Sequence, residues 1–434
     1  MEELKVFRDP LYGYVKVSHE LIWKLIQTKE FQRLRRIRQL GGVFVVYYTA
    51  EHSRFSHSLG VYEVARRILY EVSDVNNTLT EKEKLITLCA ALLHDVGHGP
   101  YSHTFEMIFN TNHEEWTKKI LLNEHTEVHQ VLESYEEGFA KKVVRIINKE
   151  CYLDDCLGAN CHHRIMSSII SSQLDADRLD YLQRDAYNTG TSYGEIDLDR
   201  LIRSFLIVDN QIAFKFTSMH AIESYLLSRY HMYWQVYYHP VAISFEIILM
   251  LMFRRVKALI EAGYKFNVDI SLIKKIINNQ LTTEDYLQMD EPWINYLIQH
   301  FCREQDKILA DLSNRFMNRH LFKYITCANQ QELDTKYQTL ENIFSKYNIN
   351  SDYYLYRDTI SKEAYQYYTD DYLHTDPILL LVKDKLVEIA ELSHVVKGIK
   401  SVGPKTDYKL YYPIEVLDEF SSEDKELIMS ILSS

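Results

Sequence analysis

The sequence predicts a mainly α-helical fold with short β-hairpins and a small mixed α/β region at its C-terminal end. Breakers are scarce, with 13 glycines and 7 prolines in 434 residues, so long stretches are free to stay helical. In most of those stretches apolar residues recur at three- and four-residue intervals, the period of one helix face. Where that period fails, short apolar runs flank Asp, Asn and Gly in the order that tight turns require.

Along the chain, Val6-Phe7 and residues 14–17 flank Asp9-Pro-Leu-Tyr-Gly13, which reads as a hairpin. Leu85, Leu88, Leu92 and Leu93 predict a helix that runs into His94, and Ile169, Leu174, Leu179 and Leu182 predict helical structure around Asp177. A second hairpin is expected where 205–208 and 212–216 flank Asp209-Asn210. Beyond about residue 265 a helical stretch continues to 347. Residues 378–382, Val395-Val396 and 408–414 then read as strands of the small α/β region. A chain of this length exceeds one small core. The expected division is a catalytic core over 1–264, a helical extension over 265–347 serving assembly or activator binding, and the α/β region over 348–434.

Composition narrows the function classes. Hydrophobic residues at 46% and charged residues at 25% suit an ordinary globular protein. A formal net charge of −12 argues against nonspecific binding to nucleic acid or anionic membrane, so a polyanionic substrate must be met by a local basic pocket. The longest apolar run, 243–253, is broken by Glu246 and is about half of the ~20 residues needed to span a bilayer. Six cysteines without a secretory signal pattern suggest reduced thiols and a cytoplasmic protein. Cys151, Cys156 and Cys161, followed by His162 and His163, fit a zinc knuckle poorly; a solvated loop is the preferred reading.

Chemistry is concentrated in three separated strings: Arg54-Phe-Ser-His57-Ser, His94-Asp95-Val-Gly-His98-Gly-Pro-Tyr-Ser-His103, and Leu174-Asp-Ala-Asp177-Arg-Leu-Asp-Tyr181. Each sets imidazole or carboxylate beside an apolar helix, where such groups need a partner. His94 and Asp95 can reach one ion because Gly97 and Gly99-Pro100 end the helix there. Two imidazoles and two carboxylates suit Fe, Mn, Co, Zn or Mg. Such an ion lowers the pKa of its water from about 15.7 toward about 7, which favours hydrolysis over redox chemistry.

His57, His94-Asp95 and Asp177 resemble the H…HD…D signature of HD-domain phosphohydrolases. Phe31-Gln-Arg-Leu-Arg35, Gln39-Leu-Gly-Gly42, Arg54 to Val61, His94 to His103 and Asp175 to Asp185 are similar to the dNTP triphosphohydrolases related to the animal sterile-alpha-motif and HD-domain protein. The likeness covers about residues 4–330, is strong over the first 260, and fades in the last hundred. It implies an HD-domain helical core in which His57, His94, Asp95 and Asp177 hold one divalent transition metal, with Mg arriving on the triphosphate. Water would attack the α-phosphorus, His103 would protonate the departing 5′-oxygen, and His98 and His113 would contact phosphate. Glu106 stands where the family usually has aspartate. Arg54 would grip phosphate; Arg229 and Tyr237 would contact phosphate and sugar, Tyr237 excluding a ribose 2′-OH; Gln39, Leu40 and Asp185 would cradle the sugar, with Tyr181 beside them.

The resemblance further implies a homotetramer with nucleotide activators at its interfaces, contacted by Lys5, Gln32, Arg35, Arg200, Lys215, Arg319 and Lys323. Gln27 stands where relatives needing a guanine activator carry aspartate. Because glutamine both donates and accepts, an adenine activator such as dATP becomes a candidate. Pro240 replaces a lysine common in that site. Two other readings stay open: an HD hydrolase of another nucleotide (a monophosphate, a cyclic dinucleotide or guanosine tetraphosphate), and a nucleotide sensor without turnover.

Overall fold

The computed structural model describes residues 4–150, 162–362, 377–402 and 405–433, and helices dominate them as the periodicity predicts. The chain opens with the expected hairpin, β1 (Lys5–Asp9) antiparallel to β2 (Gly13–Val17). Asp9 builds the turn by accepting from the Leu11 and Tyr12 amides at 2.9 and 3.2 Å.

Three helices form the centre. The Arg54–Glu71 helix packs against the Glu81–Leu93 and Ala176–Thr189 helices and is buried on most of its circumference. A helix enclosed in this way carries its polar residues into the interior, where each must find a partner. Glu81–Leu93 begins on a Thr80/Glu83 capping box and ends at His94. Helical structure around Asp177 is split, with His163–Ile170 and Ala176–Thr189 separated by residues 171–175. Asp175 causes the break: its carboxylate accepts from the Ser172 and Arg178 amides at 2.6 and 2.7 Å, which caps the second helix instead of continuing the first.

The second hairpin joins β3 (Phe205–Val208) to β4 (Gln211–Lys215) through Asp209 and Asn210, both with positive φ. Five further strands follow among the described residues: β5 (Lys323–Cys327), β6 (Tyr356–Lys362), β7 (Leu379–Val382), β8 (Lys385–Glu388) and β9 (Lys405–Tyr412). They form sheets of order β3-β4-β7-β8 and β5-β9-β6. Two expectations fail here. Strand β5 interrupts the stretch read as helical, because its partner β9 lies some eighty residues away and local periodicity does not register it. Val395 and Val396 lie in the His394–Val402 helix, with Val396 buried and Val395 exposed, as one helix face demands.

Most apolar side chains from Val15 to Phe322 join one core that also takes in Ile378, Leu380 and Ile389 from the C-terminal region. A smaller cluster packs the Gln330–Lys346 helix against β9. No single helix among the described residues is long and apolar enough to cross a membrane, and the apolar run 243–253 is part of the buried Pro240–Glu261 helix. Cys151, Cys156 and Cys161 lie outside the described residues; His162 instead contacts Glu83, and His163 the Arg145 carbonyl.

Candidate active site

The three central helices bring the three strings together. His57 Nε2 lies 3.0 Å from Asp177 Oδ1, and His94 Nε2 lies 3.8 Å from the same oxygen. Asp95 is at the edge of this cluster, with Oδ1 3.3 Å from His94 Nε2 and Oδ2 3.8 Å from His57 Nε2. It is also engaged by Arg54 Nη1 at 2.5 Å and His98 Nε2 at 3.3 Å. The donor set fits a divalent cation on one particular observation: His94 Nε2 is buried without a hydrogen-bond partner, while Nδ1 donates to the Ala91 carbonyl at 2.9 Å. The ring is thus held with an unshared pair aimed at the cluster. His57 is held in the same sense, since its Nδ1 meets Asp180 Oδ2 at 2.8 Å. Burial opposes charge on His57, but the Asp177 and Asp180 contacts outweigh it and push the imidazole up to about 10. Such surroundings favour a positive charge at this spot, which a bound cation would supply in place of the proton.

Four side chains form a second group beside the first. The His98 and His113 rings stack at 3.9 Å with 13° between their planes. Glu106 lies 2.9 Å from His103 Nδ1 and 2.7 Å from His113 Nδ1, and accepts from the His113 amide at 2.6 Å. The longer arm of glutamate therefore spans both histidines, and each keeps Nε2 for other partners. Burial penalises ionised Glu106, yet the two histidines hold it well below the usual carboxylate range. His98 is pushed well below its usual value by burial and by Arg54, so it is neutral at physiological pH. The loop that carries these groups is tightly seated: a Cβ on Gly97 would come within 2.2 Å of the His113 carbonyl. Tyr101 and Ser102 both take positive φ, and Arg54 Nε anchors Ser102 Oγ at 2.9 Å.

Both groups open on one cavity of about 640 Å³. Its walls include Gln39, Leu40, Arg54, Tyr181, Asp185 and Tyr237, the residues the sequence associates with substrate. Tyr237 donates to Asp185 Oδ2 at 2.7 Å, and His52 Nε2 lies 2.8 Å from Asp185 Oδ1. Gln39 Oε1 is buried without a partner. A π-turn over Tyr233–Tyr237 adds a residue to the backbone repeat and re-aims these tyrosines, a feature that recurs at functional sites. Arg229 stands outside the cavity lining; its Nη1 donates to Gln173 at 3.0 Å.

The residues associated with an activator lie on several separate elements of the chain. Gln27 is exposed; Gln32 accepts from Arg35 Nε at 2.8 Å, and the Arg35 guanidinium lies 3.5 Å over Phe55. Arg200 and Lys215 donate to the Thr217 and Arg203 carbonyls, both at 2.9 Å. Arg319 reaches Val45, and Lys323 lies exposed at the start of β5, while Lys5 stands on β1.

Sequence reasoning assigned no role to Asp180, Tyr12, Arg184, His52 or Glu246. For Asp180 a signal existed, because its spacing of three from Asp177 places both on one helix face. Glu246, read only as an interruption of an apolar run, lines the cavity, and burial pushes its carboxyl up to about 7. A carboxyl that ionises less readily folded than unfolded costs nothing below about pH 4.5, an increasing amount up to pH 7, and a constant amount beyond. Glu246→Gln is therefore expected to raise Tm at pH 8 and leave it nearly unchanged at pH 4.5. The ceiling is about 3 kcal/mol, lowered by water in the cavity. A pH-independent change in Tm would contradict this.

The HD domain family model matches residues 54–185 and the HD associated region residues 196–428. This chain belongs to the HD-domain phosphohydrolases that carry an HD-associated region. It is 43% identical to the uncharacterized protein YwfO of Bacillus subtilis, over 96% of this chain and 94% of that protein. Identity to human deoxynucleoside triphosphate triphosphohydrolase SAMHD1 is 27%, over 75% of this chain and only 55% of the human protein. Its fold matches the crystal structure of a phosphohydrolase from Bacteroides thetaiotaomicron with a TM-score of 0.80 and 28% identity, covering 94% of this chain and all of the other.

Proposed function

We propose that the protein hydrolyses deoxynucleoside triphosphates to deoxynucleoside and inorganic triphosphate. The observation that carries this reading is one cavity lined by His57, Asp95 and Asp177, by His98, His103 and His113, and by Asp185 and Tyr237, with His94 and Glu106 in reach of those side chains. The relatives named as dNTP triphosphohydrolases support the substrate class.

In this reading His57, His94, Asp95 and Asp177 hold a divalent transition metal (Fe, Mn, Zn or Co), and Mg accompanies the triphosphate. The metal would supply Lewis acidity toward phosphate oxygens and a more acidic water. Arg54, pinned by Asp95 and Ser102, keeps Nη2 for a phosphate oxygen. Neutral His98 and its stacked neighbour His113 meet the phosphate chain. Water adds to the α-phosphorus, the bond to the 5′-oxygen breaks, and His103 Nε2–H delivers the proton that completes the deoxynucleoside, while Glu106 holds Nδ1; the proton shed by the attacking water passes to solvent, from which His103 is reprotonated. Gln39, Leu40, Tyr181 and Asp185 receive the sugar, and Tyr237, tied to Asp185, fills the space a 2′-hydroxyl would need. Arg229 stands behind the wall, its guanidinium 5.7 Å from the ring centre of the lining residue Tyr233.

Incubating the metal-replete protein with each dNTP, alone and in pairs, and resolving the products by anion exchange tests this. Inorganic triphosphate is the expected product; orthophosphate or pyrophosphate would move the assignment to another HD hydrolase, and no turnover with any mixture would move it to another HD substrate or a sensor.

Lys5, Gln27, Gln32, Arg35, Arg200, Lys215, Arg319 and Lys323 come from separate parts of the chain, which suits a homotetramer with interface-bound activator. Gln27 favours an adenine nucleotide such as dATP. Titrating each dNTP against hydrolysis of a second is expected to show activation by dATP; strict dependence on GTP or dGTP would remove this reading.

A further inference from the structure

Beneath the candidate metal cluster lies a chain of buried polar contacts that the proposed reaction does not use. Asp180 sits one helical turn past Asp177 and is fully buried. Its Oδ2 accepts from Arg184 Nε at 2.9 Å and meets His57 Nδ1 at 2.8 Å. Its Oδ1 accepts from Arg184 Nη2 at 2.9 Å and from the Tyr12 hydroxyl at 2.5 Å. Four donors thus occupy one carboxylate, leaving it little freedom to rotate. Arg184 Nη1 continues to Asp9 Oδ2 at 3.0 Å, and Asp9 Oδ1 builds the turn that presents Tyr12.

The packing makes room for this arrangement. A Cβ on Gly60, in the central helix, would stand 1.9 Å from Asp180 Oδ1 and 2.4 Å from Arg184 Nη2. Only a residue without a side chain lets the network pass between the helices. The effect at His57 follows from the geometry. When a cation displaces the Nε2 proton, the Nδ1–H bond to Asp180 keeps the remaining proton on Nδ1, and the orientation of the Asp180 carboxylate sets where Nε2 points. Tyr12 fixes the side of Asp180 opposite His57, and it comes from a hairpin 168 residues away in sequence.

We infer that Tyr12 is a positioning residue for the ligating nitrogen of His57, acting through Asp180, so that the N-terminal hairpin turn sets the affinity of the site for a divalent cation. This rests on the reading of His57 as a metal ligand. Outer contacts of this kind are worth on the order of 10- to 100-fold in metal affinity.

The test titrates chelator-stripped full-length protein with Mn²⁺ alone, followed by electron paramagnetic resonance, for the wild type, Tyr12→Phe, Asp180→Asn and the double variant. Tyr12→Phe is expected to weaken Mn²⁺ binding about tenfold or more, with the melting temperature of the stripped protein nearly unchanged. Its effect should vanish in the Asp180→Asn background, since contacts that act through one another are non-additive. Wild-type affinity in Tyr12→Phe would overturn the inference, as would a lower melting temperature with unchanged affinity. If His57→Ala binds Mn²⁺ like the wild type, the metal-site reading itself falls, and this result is distinct from failure at Tyr12 alone.

Discussion

Asp95→Ala is expected to abolish dNTP hydrolysis while the protein remains folded. Asp95 faces His94, His57 and His98 and pairs with Arg54, so its removal takes one carboxylate from the cluster and releases the guanidinium proposed to grip phosphate. Charge stabilisation by a bound metal is worth several kcal/mol in a phosphoryl-transfer transition state. At 1.36 kcal/mol per decade, its loss amounts to about 10³-fold in rate or more. Burial opposes ionisation of Asp95, but His94, Arg54 and His98 hold the carboxylate well below its usual range, so it is charged throughout the neutral region. Asp95→Asn keeps the shape and removes the charge, and is expected to lose nearly as much. Triphosphate release by anion exchange, with metal content measured beside it, checks both; turnover within tenfold of wild type in Asp95→Ala would refute the assignment.

The second large effect concerns His103. Its side chain is 70% exposed, lines the cavity and is held at Nδ1 by Glu106, so Nε2 is free to carry a proton to a leaving oxygen. General acid catalysis contributes about 10² to 10⁴ in rate, and His103→Ala should lose that much in kcat with a smaller change in KM. The loss should shrink for a substrate analogue whose leaving group is already acidic and needs no proton. An equal loss with such an analogue would make His103 a substrate-binding residue instead. Because Glu106 touches both His103 and His113, Glu106→Gln should disturb proton donation and phosphate contact together.

The hairpins were legible because their turns are chemical: Asp9 caps its own turn, and Asp209-Asn210 tolerates positive φ. The helix running into His94 and the helical structure around Asp177 were legible from apolar spacing, and the break before Asp177 was not, since Asp175 redirects the backbone through hydrogen bonds that no hydrophobic period records. The pairing of β4 with β7 and of β5 with β9 was hidden for a related reason. Each partner lies tens of residues or more away, and strand formation there depends on the partner's presence.

For the site, the strings around His57, His94 and Asp177 identified the residue types and the helices that carry them. The amino-acid sequence by itself determined which imidazoles and carboxylates could meet and what class of chemistry that donor set allows, because ligand chemistry belongs to side chains and helix phase to spacing. Only the tertiary structure decided that Asp95 leans toward Arg54, that Glu106 joins two histidines, that Arg229 stands behind the cavity wall, and that Tyr12 reaches Asp180. These depend on where separate helices and the hairpin cross, and such crossings are set by packing of the whole core rather than by any local run of residues.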